Sequence, residues 1–320
     1  MSNLINISFE QIFITYFIDS FMKFEFVFLG TGQAIPTSSR NHVSIFVSVF
    51  GEGLLFDCGE GTQRQFRKAD VNPGRVSRIF LSHWHGDHVL GLSGLIQTLN
   101  MSGYNKELHI YGPKGTRRNV FSFLDLFRTN LRFPLSVHEV SDGVIYEGGD
   151  FFVEAMPVKH TIPCLSYKVV ERDKLRIDKD KLTKLGIRPS PDLQKALEGK
   201  SIKVDGRIVK SKDLTYKHEG FSFSVVFDTN YEVSLVKFVK GCDLLICEST
   251  YGDEEVETAK EYMHMTSRQA ATLAKKGKCK KLLLTHFSQR YEFREKILLK
   301  QAREVFENAH LTADLDKITI

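Results

Sequence analysis

The segment Ser82-His83-Trp84-His85-Gly86-Asp87-His88 constrains this chain most, because it places three imidazoles and a carboxylate within six residues. The hydrophobic run from Arg78 to Leu81 predicts a buried strand directly before it, so His83 and His85 project to the same side of the strand's end. Side chains placed in this way can bind one ion. The alternative, a packed or solvated histidine-rich turn, is disfavoured because burying unpaired ionisable groups is costly.

The same segment also predicts a second ion. Gly86 allows a sharp turn, and the apolar periodicity from Val89 to Leu99 predicts a helix that begins there and aims Asp87 and His88 at a second point nearby. Imidazole nitrogen and carboxylate oxygen suit zinc, although the same ligand set accepts manganese or iron. The sequence therefore predicts two divalent ions per chain, with zinc favoured.

The His-x-His-x-Asp-His pattern after a strand resembles the signature of the metallo-β-lactamase superfamily. This resemblance implies an α/β chain of the α+β type, folded as a four-layer αββα sandwich that holds one or two metals at its edge. The superfamily contains lactamases, thioesterases, phosphodiesterases and nucleases. The motif alone therefore does not select a reaction.

Pro36-Thr37-Ser38-Ser39-Arg40-Asn41 resembles the P-x-K-x-R-N loop of the ribonuclease Z family, the nucleases that process the 3′ end of tRNA. Ser38 replaces the lysine of that loop. The resemblance implies that Arg40 and Asn41 contact RNA. It extends from about Met22 to the C-terminus.

The same resemblance implies seven metal ligands, and each is a His or Asp at the end of a hydrophobic run that reads as a strand. One ion is expected on His83, His85 and His160, and the other on Asp87, His88 and His286. Asp228 is expected to bridge the two ions. Phe227 stands before it, where the family usually has glycine.

The resemblance also implies roles for three residues outside the ligand set and a second role for one ligand. Asp57 and Glu248 are expected to orient ligands from outside the metal-binding set. Asp87 is expected to serve as general base, and His264 to donate a proton to the departing ribose oxygen. His264 precedes Thr266, where a capping box predicts a helix that runs through Lys275. Met265 stands between them, where the family has serine.

The segment from Lys174 to Lys217 carries 13 Lys and Arg against 6 Asp and Glu, so its surplus exceeds the net charge of +5 of the whole chain. It is poor in core-forming runs and contains several Gly and Pro residues, which predicts a protruding arm. Family members carry a tRNA-gripping arm here, and Arg188-Pro189-Ser190-Pro191 resembles its tip, so Arg188 is expected to contact RNA. A solvated insertion is the alternative.

The length of 320 residues suits one large domain, expected over residues 22–320. Residues 1–21 are expected to be an N-terminal extension: an added tail, a start-site error or a short amphipathic helix. No apolar run approaches the ~20 residues that span a bilayer, so no membrane partner is expected. Five cysteines without a C-x-x-C pair favour the reducing cytoplasm over a disulfide framework.

The resemblance to the ribonuclease Z family implies a zinc-dependent endoribonuclease that cleaves the 3′ trailer from precursor tRNA, with a metal-activated water attacking the phosphodiester. The resemblance also implies a homodimer. A small-molecule phosphodiesterase or sulfatase of the same fold is the main alternative, and the basic arm argues against it. A non-catalytic RNA-binding relative would be expected to lack some of the ligands.

Overall fold

The computed structural model describes residues 24–320, so the predicted extension at residues 1–21 lies outside it. The described chain divides into two compact units. The larger comprises residues 24–170 and 221–320, and the smaller is Glu171–Gly220. Among the described residues, no helix has both the length and the apolar character needed to cross a membrane.

The larger unit contains two seven-stranded sheets. The first has the spatial order β18-β1-β2-β3-β4-β5-β6, formed by β1 (Glu25–Gly30), β2 (Ser44–Val49), β3 (Glu52–Phe56), β4 (Arg78–Phe80), β5 (Leu108–Gly112), β6 (Leu135–Glu139) and β18 (Lys317–Thr319). The second has the order β17-β16-β15-β14-β9-β8-β7, formed by β7 (Gly143–Glu147), β8 (Phe151–Val158), β9 (Cys164–Glu171), β14 (Ser222–Val226), β15 (Leu244–Glu248), β16 (Lys281–Thr285) and β17 (Ala309–Leu311). Strands β3 to β6 run parallel, as do β14 to β17.

The two sheets face each other across an aromatic-rich core. Phe26 of β1 meets Phe223 of β14 edge to face, with ring centroids 4.9 Å apart. On its outer side the first sheet packs against α1 (Thr62–Lys68), α2 (Gly86–Val89), α3 (Leu92–Met101) and α4 (Thr116–Leu126). The second packs against α7 (Val233–Phe238), α9 (Ser267–Gly277) and α10 (Lys296–Arg303), and α8 (Val256–Glu261) precedes α9. The predicted αββα sandwich is confirmed.

The prediction of one continuous helix from Val89 to Leu99 is wrong, because the structure ends α2 at Val89 and begins α3 at Leu92. The interruption brings Gly91 against the turn after β3. There its amide donates to the carbonyl of Cys58 at 2.9 Å. A Cβ at Gly91 would lie only 2.0 Å from the carbonyl oxygen of Gly59.

We therefore expect Gly91→Ala to lower the free energy of unfolding by about 3 kcal/mol, because backbone cannot yield to the added methyl group as a flexible side chain would. Urea unfolding followed by circular dichroism measures this change. Gly149→Ala is the matched control, since a Cβ there meets nothing within 4 Å. Equal stability of the two variants would contradict the prediction.

The smaller unit, Glu171–Gly220, has secondary structure and a core of its own. Strands β10 (Lys174–Ile177) and β13 (Thr215–His218) pair antiparallel, and β11 (Ile202–Val204) and β12 (Arg207–Val209) form a hairpin. Between them lie the short helices α5 (Lys179–Lys184) and α6 (Leu193–Leu197). Isolated apolar residues build the core that the sequence pattern did not indicate: Leu182, Ile187, Leu193, Ala196, Ile202 and Leu214.

Candidate metal centre

Five of the seven predicted ligands follow strands of the larger unit, two lie in a short helix, and all seven side chains converge. His83 and His85 come after β4, Asp87 and His88 lie in α2, and His160, Asp228 and His286 come after β8, β14 and β16. Ligand atoms from these residues lie within 4.8 Å of one another in two groups, each of which could hold a metal ion. Strand ends therefore bring together residues that are up to about two hundred positions apart in the chain.

The first group consists of His83, His85, His160 and Asp228. Nδ1 of His85 lies 2.9 Å from Nε2 of His83 and 3.2 Å from Nε2 of His160. Oδ2 of Asp228 lies 3.6 Å from His83 Nε2 and 3.7 Å from His160 Nε2. Three nitrogens and one carboxylate oxygen thus surround a common point.

The second group consists of Asp87, His88 and His286. Nε2 of His88 lies 3.2 Å from Nε2 of His286 and 3.4 Å from Oδ2 of Asp87. Asp228 also reaches this group: its Oδ1 lies 3.1 Å from His286 Nε2 and its Oδ2 lies 3.4 Å from His88 Nε2. Asp228 is therefore placed between the two groups.

Hydrogen-bond partners outside the two groups fix the imidazole rings. Nδ1 of His88 lies 2.7 Å from Oδ2 of Asp57. The other Nδ1 contacts are His83 to Ser82 Oγ at 2.9 Å, His160 to the Met263 carbonyl at 3.2 Å, and His286 to Thr250 Oγ1 at 3.1 Å. Because Nδ1 of each of these four histidines is engaged in this way, its Nε2 stays directed at the other ligands of its group.

Ser82 links a metal-binding histidine to Asp57, a role that its sequence position alone did not predict. Its amide and its hydroxyl each donate to Asp57 at 2.6 Å, and the hydroxyl lies 2.9 Å from Nδ1 of His83, so Ser82 connects His83 to the aspartate that contacts His88 directly. Asp57 itself has a φ of 55°, a left-handed conformation that such bonds help to maintain. The sequence does contain a signal for this role, because Ser82 is a polar residue that follows an apolar strand and directly precedes the ligand His83.

His264 lies beside the two groups and is held by Glu248. Its Nδ1 is 3.1 Å from Glu248 Oε2, and its Nε2 is 3.9 Å from Asp228 Oδ2. Glu248 is buried and also accepts the Thr229 amide at 2.7 Å and the Thr250 hydroxyl at 2.6 Å. Burial opposes protonation of His264, but the Glu248 and Asp228 carboxylates outweigh it and raise its pKa to about 9.

The charges at the centre fit divalent cations. Oδ1 of Asp228 is buried and accepts no hydrogen bond from residues 24–320. Burial disfavours a charged His88, yet the carboxylates of Asp228, Asp87 and Asp57 hold its pKa well above the usual value. For His83, burial and the neighbouring His88 hold the pKa well below its usual value. The donor set suits zinc.

The departures from the family pattern have structural consequences. Phe227 is buried in the core between the sheets, and its ring centroid lies 6.0 Å from that of His88. Met265 is buried under the helices that cover the second sheet. The hydroxyls of Ser38 and Ser39 donate to the carboxylate of Glu292 at 3.1 and 3.0 Å. The loop therefore binds a carboxylate of the same chain at the position where the family has lysine.

The three predicted RNA contacts differ in exposure. Arg40 and Asn41 are partly buried and form hydrogen bonds within the larger unit. Nε of Arg40 donates to Glu295 at 2.9 Å, and the backbone amide of Asn41 donates to the carboxylate of Asp314 at 2.7 Å. Arg188 is exposed in the smaller unit. Contact with RNA stays a prediction for all three residues.

Comparison with known proteins identifies the family. Residues 24–183 match a family model described as Anti-Pycsar protein Apyc1. Ribonuclease Z of Nanoarchaeum equitans is 38% identical over 264 residues, which cover 82% of this chain and 83% of that protein. Ribonuclease Z of Bacillus cereus is 36% identical over 306 residues, which cover 92% and 99%. The chain belongs to the ribonuclease Z family.

Solved structures agree with this assignment. The human tRNase Z short form, ELAC1, superposes with a TM-score of 0.68 at 29% identity, covering 92% of this chain and 98% of that one. The metallo-β-lactamase fold protein YhfI of Bacillus subtilis has a TM-score of 0.67 at 17% identity, covering 93% and 100%, and supports the fold alone. The predicted ribonuclease Z family, fold and enzyme class, an endoribonuclease, are confirmed.

Proposed function

We propose that this member of the ribonuclease Z family is a zinc-dependent endoribonuclease that removes the 3′ trailer from precursor tRNA in the cytoplasm. The observation that carries the proposal is the convergence of the seven expected ligands in two groups that share Asp228. His83, His85 and His160 would hold one ion with Asp228, and Asp87, His88 and His286 would hold the other. Bound there, divalent ions would supply Lewis-acid stabilisation of the charge that develops at phosphorus and would lower the pKa of a water molecule.

The chain's own residues perform the proton transfers. Asp87 accepts the proton of the attacking water, and its pKa is held well below the usual value by His88 despite burial, so the carboxylate is ionised. As the water oxygen bonds to phosphorus, the bond from phosphorus to the ribose 3′ oxygen breaks. His264, fixed through Nδ1 by Glu248, donates a proton from Nε2 to that oxygen.

The smaller unit supports RNA as the substrate. Its surplus of positive charge, 13 Lys and Arg against 6 Asp and Glu in residues 174–217, suits a phosphate backbone, whose counterions are released on binding. A small phosphodiester or sulfate ester would gain little from such a unit.

We also propose the homodimer implied by the family resemblance, for which light scattering would give twice the mass of one chain.

Deleting residues 174–217 tests the proposed substrate. Lys174 pairs directly with His218, so a short Gly-Ser linker can join Asp173 to His218, and the removed segment carries its own core. We expect the affinity for precursor tRNA to fall about a hundredfold or more, because many phosphate contacts are lost together. Hydrolysis of bis-p-nitrophenyl phosphate should change less than about twofold, because the metal ligands lie in the larger unit.

A milder variant controls for the deletion. Lys203→Gln with Arg207→Gln neutralises two exposed cations of the hairpin and leaves the small core intact. It should weaken precursor tRNA binding and reduce the dependence of affinity on salt, with the small substrate unaffected. Equal loss of both activities in the deletion variant would instead identify the segment as a structural element.

A further inference from the structure

The side chain of Arg40 is 11% exposed and is engaged at several points inside the larger unit. Nε donates to Glu295 at 2.9 Å, and Nη1 donates to Thr31 Oγ1 at 2.6 Å and to the Thr312 carbonyl at 3.0 Å. The guanidinium also lies over the ring of Phe287, 4.5 Å from its centroid. A contact with an RNA phosphate would require several of these interactions to break.

The loop that carries Arg40 reaches two of the predicted ligands. The amide of Ala34 donates to Oδ2 of Asp87 at 2.9 Å. The Phe287 amide donates to the Thr31 carbonyl, and the Gln33 amide donates to the Phe287 carbonyl, both at 3.0 Å. This short bridge lies immediately after His286, and Arg40 contacts both Thr31 and Phe287.

His286 needs such support because its φ is 61°, in the left-handed region that a residue with a Cβ rarely adopts. A conformation of this kind persists only where the surroundings hold it. Phe287 follows His286 directly, and its hydrogen bonds with Thr31 and Gln33 hold the backbone at this point. Thr31 is fixed in turn, since its hydroxyl donates to Asp314 at 2.7 Å while it accepts from Arg40.

We propose that Arg40 is a positioning residue for the second ion and does not contact RNA. It holds the loop and Phe287 together, and so fixes the carboxylate of Asp87 and the ring of His286 in the group that also contains His88. The inference rests on the proposed metal-dependent hydrolysis, but not on the identity of the substrate.

Arg40→Lys tests this role, because lysine keeps the positive charge but cannot reproduce the planar fork that reaches Glu295, Thr31 and Phe287 together. Zinc titration of the chelator-stripped full chain should show one ion weakened about tenfold or more and the other changed less than about twofold. Turnover of bis-p-nitrophenyl phosphate should fall about tenfold. The affinity for precursor tRNA and its salt dependence, measured with both ions saturating, should match the wild type.

Arg132→Lys serves as the control and should leave zinc binding and the small substrate unchanged, because Arg132 is exposed and belongs to neither metal-binding group. Normal zinc affinities and small-substrate turnover in Arg40→Lys, together with weaker RNA binding and a smaller salt dependence, would overturn the inference in favour of a direct contact. Equal weakening of both ions would overturn it in favour of a general structural role.

If Arg40→Lys does not fold, Glu295→Gln replaces it, since glutamine keeps the size of the partner and removes its charge. It should weaken the same ion about threefold and spare the other, and the absence of any selective loss would contradict the inference. The wild-type titration reports separately on the proposed function, because a wild-type chain that binds no zinc would contradict metal-dependent hydrolysis itself.

Discussion

Asp228→Ala is expected to remove both metal ions together and to abolish hydrolysis of precursor tRNA and of small phosphodiesters. Both carboxylate oxygens of Asp228 face imidazole nitrogens, and the residue contacts members of each group within 3.7 Å. Loss of a partner outside the ligand set commonly costs 10–100-fold in metal affinity or activity. Loss of the shared ligand should exceed about a hundredfold for both ions.

Elemental analysis of the metal-replete protein measures this effect, with close to two ions per chain in the wild type and close to none in the variant. Asp253→Ala is a suitable control, since that carboxylate pairs with Arg268 near the surface and belongs to neither group. Retention of one ion at wild-type affinity by Asp228→Ala would show that the residue does not bridge. A wild-type stoichiometry near zero would contradict the dinuclear centre altogether.

His264→Ala is expected to keep both ions and near-normal RNA affinity, yet to slow single-turnover cleavage of precursor tRNA by about a hundredfold or more. The expectation follows from the position of His264: Glu248 binds Nδ1, which leaves Nε2 beside Asp228 and free to donate to the departing oxygen. Loss of general-acid catalysis typically has an effect of this size. Rapid-quench measurements on preformed complexes isolate the chemical step.

The leaving group distinguishes catalysis from packing. Bis-p-nitrophenyl phosphate releases p-nitrophenolate, which needs no proton, so His264→Ala should slow its hydrolysis much less. A residue that only supports the capping box of α9 would slow both substrates alike and lower thermal stability. Near-normal single-turnover cleavage of precursor tRNA by the metal-replete variant would exclude the catalytic role.

The position of the candidate centre could be predicted because its determinants are local. Five of the expected ligands follow hydrophobic runs that form strands, and the other two lie in the short helix after β4. The tight spacing from His83 to His88 is compatible with few functions other than metal binding. The capping box at Thr266 is likewise a local pattern, and both of its hydrogen bonds are present in the structure. Patterns of this kind depend on neighbours in the chain and so can be recognised without the fold.

Features that depend on distant partners were not predicted. Strand β9, Cys164–Glu171, lacks a clean alternation, and its place between β8 and β14 is set by pairing across the sheet. The break before α3 is set by the approach of Gly91 to Gly59, which no helical periodicity reveals. The environment of Arg40 depends on Glu295 and Thr312, more than 250 positions away, so the sequence did not reveal these contacts.

Cleavage of a 3′-extended precursor tRNA by the metal-replete protein, with both new ends mapped, tests the central claim most directly. The account predicts a single cut after the discriminator base, with a 3′ hydroxyl on the tRNA and a 5′ phosphate on the trailer, because the bond to the ribose 3′ oxygen breaks. Intact precursor tRNA alongside active hydrolysis of small phosphodiesters, or a 3′ phosphate on the product, would contradict it.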